Sequence, residues 1–215
     1  MFKIHYFRKL TSTNEKAKEF DVGHVVIADS QTKGKGRFRR KWFSGEGGIY
    51  MSLTVKATKL KYLTFIAAIS VYEAINIPGI KVKWPNDLIY EKRKLCGILT
   101  EIIKDKAIIG IGVNVNNKLP RYLKNKAITL KQLGKDIDKR LLINRILKRF
   151  EFWYNKDKDA VIKRWKEISF LGAKVKVVTR KESYEGVAID IEDYKLVLRT
   201  KQGIKKIIEG DVFIL

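Results

Sequence analysis

The chain has 215 residues, enough for one domain of ordinary size and a small appendage; 45% hydrophobic and 11% aromatic content with only 3 prolines supplies a packed core and excludes a disordered chain. The 46 Lys+Arg against 23 Asp+Glu leave a net charge of +23, the mark either of a polyanionic partner or of the Lys-rich surface of a heat-adapted protein. The single Cys96 and two distant histidines, His5 and His24, exclude a disulfide framework and a zinc cage.

The chain opens with Lys3, His5, Arg8 and Lys9 and lacks the apolar stretch of a signal peptide. Its longest apolar run, from Phe65 to Tyr72, is far short of the roughly 20 residues that span a bilayer. A cytoplasmic protein without a membrane segment is expected. Ser12 followed by Glu15 has the capping-box pattern and predicts a helix from Thr13 to Phe20. Val25–Ala28 reads as a buried strand, Gln31–Gly48 as a cationic, glycine-punctuated loop, and Ile49–Lys56 as a second strand. Leu60, Leu63, Ala67, Val71 and Ala74 recur at three and four, predicting an amphipathic helix that ends before Pro78.

Strands are predicted at Ile80–Trp84, Leu88–Tyr90, Leu95–Ile103 and Ala107–Val115, the last two joined as a hairpin by Lys104-Asp105-Lys106. Leu142, Ile146, Phe150 and Trp153, then Val161, Trp165 and Ile168, mark two further helices with their aromatics in the core. From Ser169 the character changes. About five short strands follow, parted by turns at Lys181-Glu182, Glu192-Asp193, Gln202-Gly203 and Gly210-Asp211. The fold class is α+β: a mixed, largely antiparallel sheet flanked by helices over 1–168, and a small C-terminal β-barrel over 169–215.

Two stretches carry chemistry. Lys33-Gly34-Lys35-Gly36-Arg37-Phe38-Arg39-Arg40-Lys41-Trp42 joins backbone freedom to enough charge for a triphosphate, without the spacing of a Walker loop. A solvated basic loop has the same composition, but has little reason to carry Gln31 and Trp42 at its borders. In Lys81-Val82-Lys83-Trp84-Pro85-Asn86-Asp87, alternation puts Lys83 opposite Val82 and Trp84, and Pro85 ends the strand. A positioned cation and an edge-strand lysine fit that spacing equally.

Together with Ser12-Thr13-Asn14, Lys94-Leu95-Cys96-Gly97-Ile98-Leu99 and Gly110-Ile111-Gly112-Val113-Asn114-Val115-Asn116, these stretches resemble biotin protein ligase in order and spacing over essentially the entire chain. The sequence departs from the family's Gly-Arg-Gly-Arg-x-Gly-Arg at Lys35, which replaces an arginine, and at Arg39, which replaces a glycine. It starts at the catalytic part of the family's longer members, without their helix-turn-helix repressor domain, so no DNA-binding role is expected.

The resemblance implies a two-step chemistry: biotin and ATP give biotinyl-5′-AMP, and the biotinyl group then passes to a lysine of a biotin carboxyl carrier protein. It implies Lys83 and Arg37 as catalytic cations, Lys83 bridging the biotin carboxylate and the α-phosphate and Arg37 holding the same region from the loop. Ser12, Thr13, Asn14, Gln31, Gly36, Arg37, Lys83 and Gly97 are expected at biotin. Lys35, Gly36, Arg37, Arg40, Trp42, Lys83 and Asn114 are expected at ATP and the adenylate. Mg²⁺ is expected to come with ATP, with no tightly bound metal or prosthetic group, and a homodimer is implied. A lipoate or octanoyl ligase shares the fold of this superfamily but not the Gly-x-Gly-Arg and Lys-Trp-Pro-Asn-Asp combination. A nucleic-acid-binding module requires cations interleaved with aromatics on the terminal strands, and after Ala173 these have only Tyr184, Tyr194 and Phe213.

Overall fold

The structure is a computed structural model that describes residues 2–215; the side chains of residues 59–61, and with them the predicted helical contact of Leu60, lie outside the described residues. Seven strands, β1 (Lys3–Leu10), β2 (His24–Gln31), β3 (Ile49–Lys56), β4 (Ile80–Lys83), β5 (Asp87–Tyr90), β6 (Arg93–Ile103) and β7 (Lys106–Val113), form one sheet in the order β1-β2-β3-β7-β6-β5-β4. Only β1 and β2 pair in parallel, so the sheet is mixed and largely antiparallel. The β6–β7 hairpin turns at Lys104-Asp105, with Lys104 in the left-handed region at φ 55°. β1 has no signature in the sequence. As an edge strand buried on neither face, Lys3-Ile4-His5-Tyr6-Phe7-Arg8 lacks the apolar run by which an interior strand is read.

The helices divide between the two faces of this sheet. α1 (Thr13–Ala17) packs Ala17 against Val26 and Ile108 on one face. α2 (Leu63–Ile75), α3 (Lys139–Tyr154) and α4 (Lys158–Glu167) pack on the other, over Val25, Ile27, Ile109 and Ile111. The period-2 alternation of β7 therefore sends Ile109, Ile111 and Val113 into the main core and Ile108, Gly110 and Gly112 to the α1 side.

Three expectations change. α1 ends at Ala17, and its N-cap Ser12 makes no capping hydrogen bond, because Glu15 turns outward to Lys18 and Lys35. α2 is not amphipathic: eleven of its thirteen residues are buried, since α3 and α4 cover the face that would otherwise meet water. A 3₁₀ segment, Ala57–Tyr62, leads into it.

The C-terminal strands β8 (Lys174–Val178), β9 (Ser183–Glu192), β10 (Lys195–Thr200), β11 (Gly203–Ile207) and β12 (Asp211–Ile214) form a separate antiparallel sheet, in the order β11-β10-β9-β8-β12. It is not a closed barrel. No ladder joins β11 to β12, and the exposed Ile204 and Phe213 on these two edges face solvent and not one another. Among the contacts that hold this sheet to the first, two lie at β4 and just after it. The backbone of Val82 on the edge strand β4 pairs with Ile168 and Phe170, and the indole of Trp84 donates to the Tyr194 carbonyl at 2.8 Å.

The helical layer is fastened by one carboxylate. Glu73 on α2 accepts from the Trp153 indole at 3.0 Å and the Arg164 guanidinium at 2.9 Å, with Arg149 at 3.8 Å, so α2, α3 and α4 meet at one acceptor. Replacing Glu73 by Ala leaves the Trp153 N–H and two guanidinium groups without their shared acceptor. We expect a loss of about 2–3 kcal/mol, read as a fall in urea midpoint at unchanged slope, with ligand affinity at the distant cleft preserved.

Candidate functional site

On the α1 face, the loop after β2 folds over the strand ends of β6 and β7 and encloses a cavity of about 250 Å³. Its floor is made of glycine. Gly97 on β6 and Gly112 on β7 lie directly opposite one another, with Gly110 two residues away on the same face. A Cβ on Gly112 would stand 2.4 Å from the Trp42 indole nitrogen, one on Gly97 2.8 Å from the Trp42 ring, and one on Gly110 2.2 Å from Asn14 Oδ1. Glycine is thus the requirement at these three positions. At Gly36 it is not: a Cβ there would meet only ordinary contacts at 3.5 Å and beyond.

One wall is a buried polar group at the start of α1. Ser12, Thr13 and Asn14 are each less than 5% exposed, and the Ser12 hydroxyl caps nothing. Gln31 is fixed from both ends of its amide: Oε1 accepts from the Thr13 backbone at 2.7 Å, and Nε2 donates to Ser44 Oγ at 2.8 Å. Asn14 Nδ2 donates to Glu101 at 2.6 Å. Hydroxyl and amide groups held in this way present a fixed pattern of donors and acceptors to a small neutral ring.

The opposite rim is cationic. Lys35, Arg37, Arg40, Lys41, Lys94 and Lys126 line the cavity against two carboxylates, Asp87 and Asp211. The loop that carries four of them is a tight hairpin, closed by Gly36 N to the Arg40 carbonyl at 2.7 Å and Trp42 N to the Gly34 carbonyl at 2.9 Å. Its tip, a 3₁₀ turn over Arg37–Arg39, places Phe38 at φ 54° and Arg39 at φ 59°. Two successive side chains in the left-handed region cost on the order of 1 kcal/mol each. The usual glycine at the position of Arg39 avoids that cost. The Phe38 ring lies under the guanidinium groups of Arg37, Arg40 and Arg180, at 4.7, 5.6 and 5.6 Å.

The C-terminal sheet completes the rim. Arg40 forms a bidentate ion pair with Asp211, and Arg37 reaches the Gly210 carbonyl and Asn86 Oδ1, both at 3.4 Å. The hydrogen bond from Arg40 holds the Asp211 carboxyl below the usual carboxylate range. The pair therefore persists at neutral pH and weakens only as pH falls through that lowered value.

The sequence-predicted residues are largely brought together. Ser12, Thr13, Asn14, Gln31, Lys35, Gly36, Arg37, Arg40, Trp42, Gly97 and Asn114 all line the cavity. Lys83 does not: its ammonium donates to the Val212 carbonyl at 3.1 Å and lies 3.6 Å from Asp87. Asn114 spends part of its amide on the local fold, its Oδ1 accepting from Asn117.

Sequence reasoning gave Lys94 no role, yet its ammonium sits in the cavity wall, 2.6 Å from Asp87 and 5.2 Å from the Trp42 ring centre. Its place three residues before Gly97 in a motif already singled out was the available signal. Asp211 had none, being brought to Arg40 across 171 residues of chain.

The biotin/lipoate A/B protein ligase family matches residues 5–116. The bifunctional ligase/repressor BirA of Bacillus subtilis is 35% identical over 96% of this chain and 72% of its own length. The biotin–[acetyl-CoA-carboxylase] ligase of Mycobacterium tuberculosis is 28% identical over 80% of this chain and 71% of its own. The biotin protein ligase of Aquifex aeolicus, solved in complex with biotin and ATP, superposes with a TM-score of 0.89 at 33% identity, covering 99% of this chain and 98% of that one. With the glycine floor, polar wall and cationic rim in one cleft, the chain belongs to the biotin/lipoate A/B protein ligase family, on its biotin protein ligase branch.

Proposed function

We propose that this chain activates biotin with ATP to biotinyl-5′-AMP, releasing pyrophosphate, and transfers the biotinyl group to a specific lysine of a biotin carboxyl carrier protein. One observation supports this above others. A neutral hydrogen-bonding wall and a rim of six cations against two carboxylates face each other across a floor without side chains. Biotin has matching ends, a ureido ring and a carboxylate that must meet a triphosphate.

In the first step a carboxylate oxygen of biotin attacks the α-phosphorus and the bond to pyrophosphate breaks. In the second, the carrier's lysine amine attacks the acyl carbon and AMP leaves. Both nucleophiles belong to substrates, so the protein's part is to bring anions together and hold them in line. Ser12, Thr13, Asn14 and Gln31 take the ureido ring, and Gly97 lets it approach the sheet. Lys35, Arg37, Arg40 and Trp42 cover the nucleotide, with Asn114 beside its base. Lys83 bridges the carboxylate and α-phosphate on leaving the Val212 carbonyl, and Lys94, which shares Asp87 with it, supplies a second cation from the cavity wall.

Mg²⁺, when bound with the triphosphate, would neutralise part of its charge. The two carboxylates lining the cavity are engaged by lysine and arginine, and no cluster of three or more metal-ligating side chains occurs among the described residues. Residues 1–168 form the catalytic domain, and 169–215 a small domain that lends Gly210–Val212 to the rim. A homodimer through the edge strand β1 fits its exposed Ile4 and Tyr6. The acceptor, and the cytoplasm as the site of action, follow from the same reading. No helix among the described residues is long and apolar enough to cross a membrane. The terminal sheet does not suit nucleic acid, because Tyr194 is turned inward to stack on Phe65 at 4.8 Å.

Pyrophosphate exchange with biotin or lipoate tests the reading: exchange with biotin supports it, and exchange with lipoate alone assigns the cleft to the family's other substrate. Lys83→Ala and Lys94→Ala should each lower adenylate formation about 10²–10³-fold without unfolding the chain. A Lys83→Ala variant with near-native exchange would leave Lys94 as the cation that matters. Arg37→Gly should release the adenylate more than it blocks its synthesis, since its contacts belong to the closed loop. A retention loss of about ten- to a hundred-fold follows, read as biotinylation of bystander albumin that the parent leaves unlabelled. The loop from Lys33 to Phe43 should also be cut more slowly by protease once biotin and ATP are present; equal rates of nicking would rule out closure over the ligand.

A further inference from the structure

Behind the polar wall runs a chain of hydrogen bonds whose outer members do not line the cavity. Asn14 Nδ2 donates to Glu101 at 2.6 Å and lies 3.5 Å from the Leu99 carbonyl. Asn14 Oδ1 is 2.6 Å from Ser52 Oγ, and Ser52 Oγ is 2.8 Å from Thr13 Oγ1. Thr13 Oγ1 is in turn 3.1 Å from Gln31 Oε1. Ser52 is fully buried, and Gly110 makes room for the Asn14 carbonyl.

Protons can be counted along this chain. A carboxylate and a backbone carbonyl only accept, so the two groups that flank one end of the Asn14 amide hold its NH₂ there and aim Oδ1 at Ser52. Ser52 has one hydroxyl proton, and two oxygens 2.6 Å apart must have a proton between them. Ser52 therefore donates to Asn14, and Thr13 must donate to Ser52. The contact left without a proton is the longest of the four that run from Glu101 to Gln31, the 3.1 Å between Thr13 Oγ1 and Gln31 Oε1. Gln31 cannot relieve it by turning over its amide, because the Thr13 backbone N–H already holds Oε1 in place at 2.7 Å.

We infer that Glu101 is a positioning residue for ligand specificity: it sets the direction of the relay Glu101–Asn14–Ser52–Thr13, so that Thr13 and Gln31 present a pair of acceptors that demands an N–H donor from the bound ring. This rests on the biotin reading and deepens it. A cyclic urea supplies such an N–H, and a dithiolane or a cyclic carbamate turned the wrong way does not. A ring without the donor leaves two buried acceptors unpaired, a penalty that discriminates far more strongly than a difference in size.

Glu101→Gln tests it, because a glutamine of the same shape can donate as well as accept. If it donates to Asn14 Oδ1, the Asn14 amide turns over, Ser52 donates to Thr13, and Thr13 donates to Gln31, so the acceptor pair disappears. Pyrophosphate exchange is measured for parent and variant with biotin and with the two cyclic carbamate analogues in which one or the other ureido N–H is replaced by oxygen. The expected result is a KM for biotin raised tenfold or more with kcat within twofold of the parent. The parent's preference for biotin over the disfavoured carbamate should also shrink by tenfold or more in the variant. That ratio compares two ligands in one protein preparation, so a reduced folded fraction does not move it. An unchanged ratio, whether or not KM rises, overturns the relay and leaves Glu101 a structural residue. A parent that forms adenylate from neither biotin nor either carbamate overturns the ligase reading, and the relay's role with it.

Discussion

Gly97 and Gly112, paired across β6 and β7, leave a patch of sheet without side chains, and the organisation of the cleft depends on that bare surface. A sheet face normally buries its side chains under a helix, as the opposite face of this one does under α2. Here the helix is the five-residue α1, which covers only the end of the sheet near Val26 and Ile108. The uncovered part carries the Trp42 indole, which approaches the backbone of Gly97 and Gly112 as no side chain there would allow. Any methyl group on Gly112 would intrude on Trp42 by more than an ångström relative to an ordinary contact of about 3.5 Å.

Charge is the second constraint. Six cations around one cavity repel each other, and the fold answers with anions and dipoles that can be given up. Asp87 sits between Lys83 and Lys94, Asp211 holds Arg40, and the carbonyls of Gly210 and Val212 receive Arg37 and Lys83. All of these except Asp87 come from β12 or the turn before it, so the small C-terminal sheet supplies most of the counter-dipoles for the larger sheet's chemistry. A reaction between two anions requires cations gathered beside the point of attack, held meanwhile by groups such as the Val212 carbonyl that can release them.

The polar wall obeys different physics. Its members are neutral, apart from Glu101, and their value lies in orientation, which each amide and hydroxyl inherits from the next. Gln31 is fixed by a backbone N–H on one side and Ser44 on the other, and Asn14 by Glu101 and Ser52. None of this is visible in spacing along the chain, because Thr13, Gln31, Ser52 and Glu101 come from α1 and three different strands.

The sequence by itself determined the interior strands, the three longer helices and the hairpin at Lys104-Asp105, since these follow from local periodicity and turn chemistry. Its resemblance to biotin protein ligase also marked Ser12-Thr13-Asn14, Gln31, the loop to Trp42, Gly97 and Asn114, which the fold brings to the lining of one cavity. What only the tertiary structure decided follows from contacts distant in sequence. β1 became a strand because an edge needs a partner more than an apolar face. α2 lost its amphipathic character because α3 and α4 cover it. The terminal strands stayed an open sheet because β11 and β12 find no ladder between them. Lys83 was placed just outside the cavity and Lys94 within it, and Asp211 was brought to Arg40, because electrostatic partners are chosen by distance in space, which residue spacing does not encode.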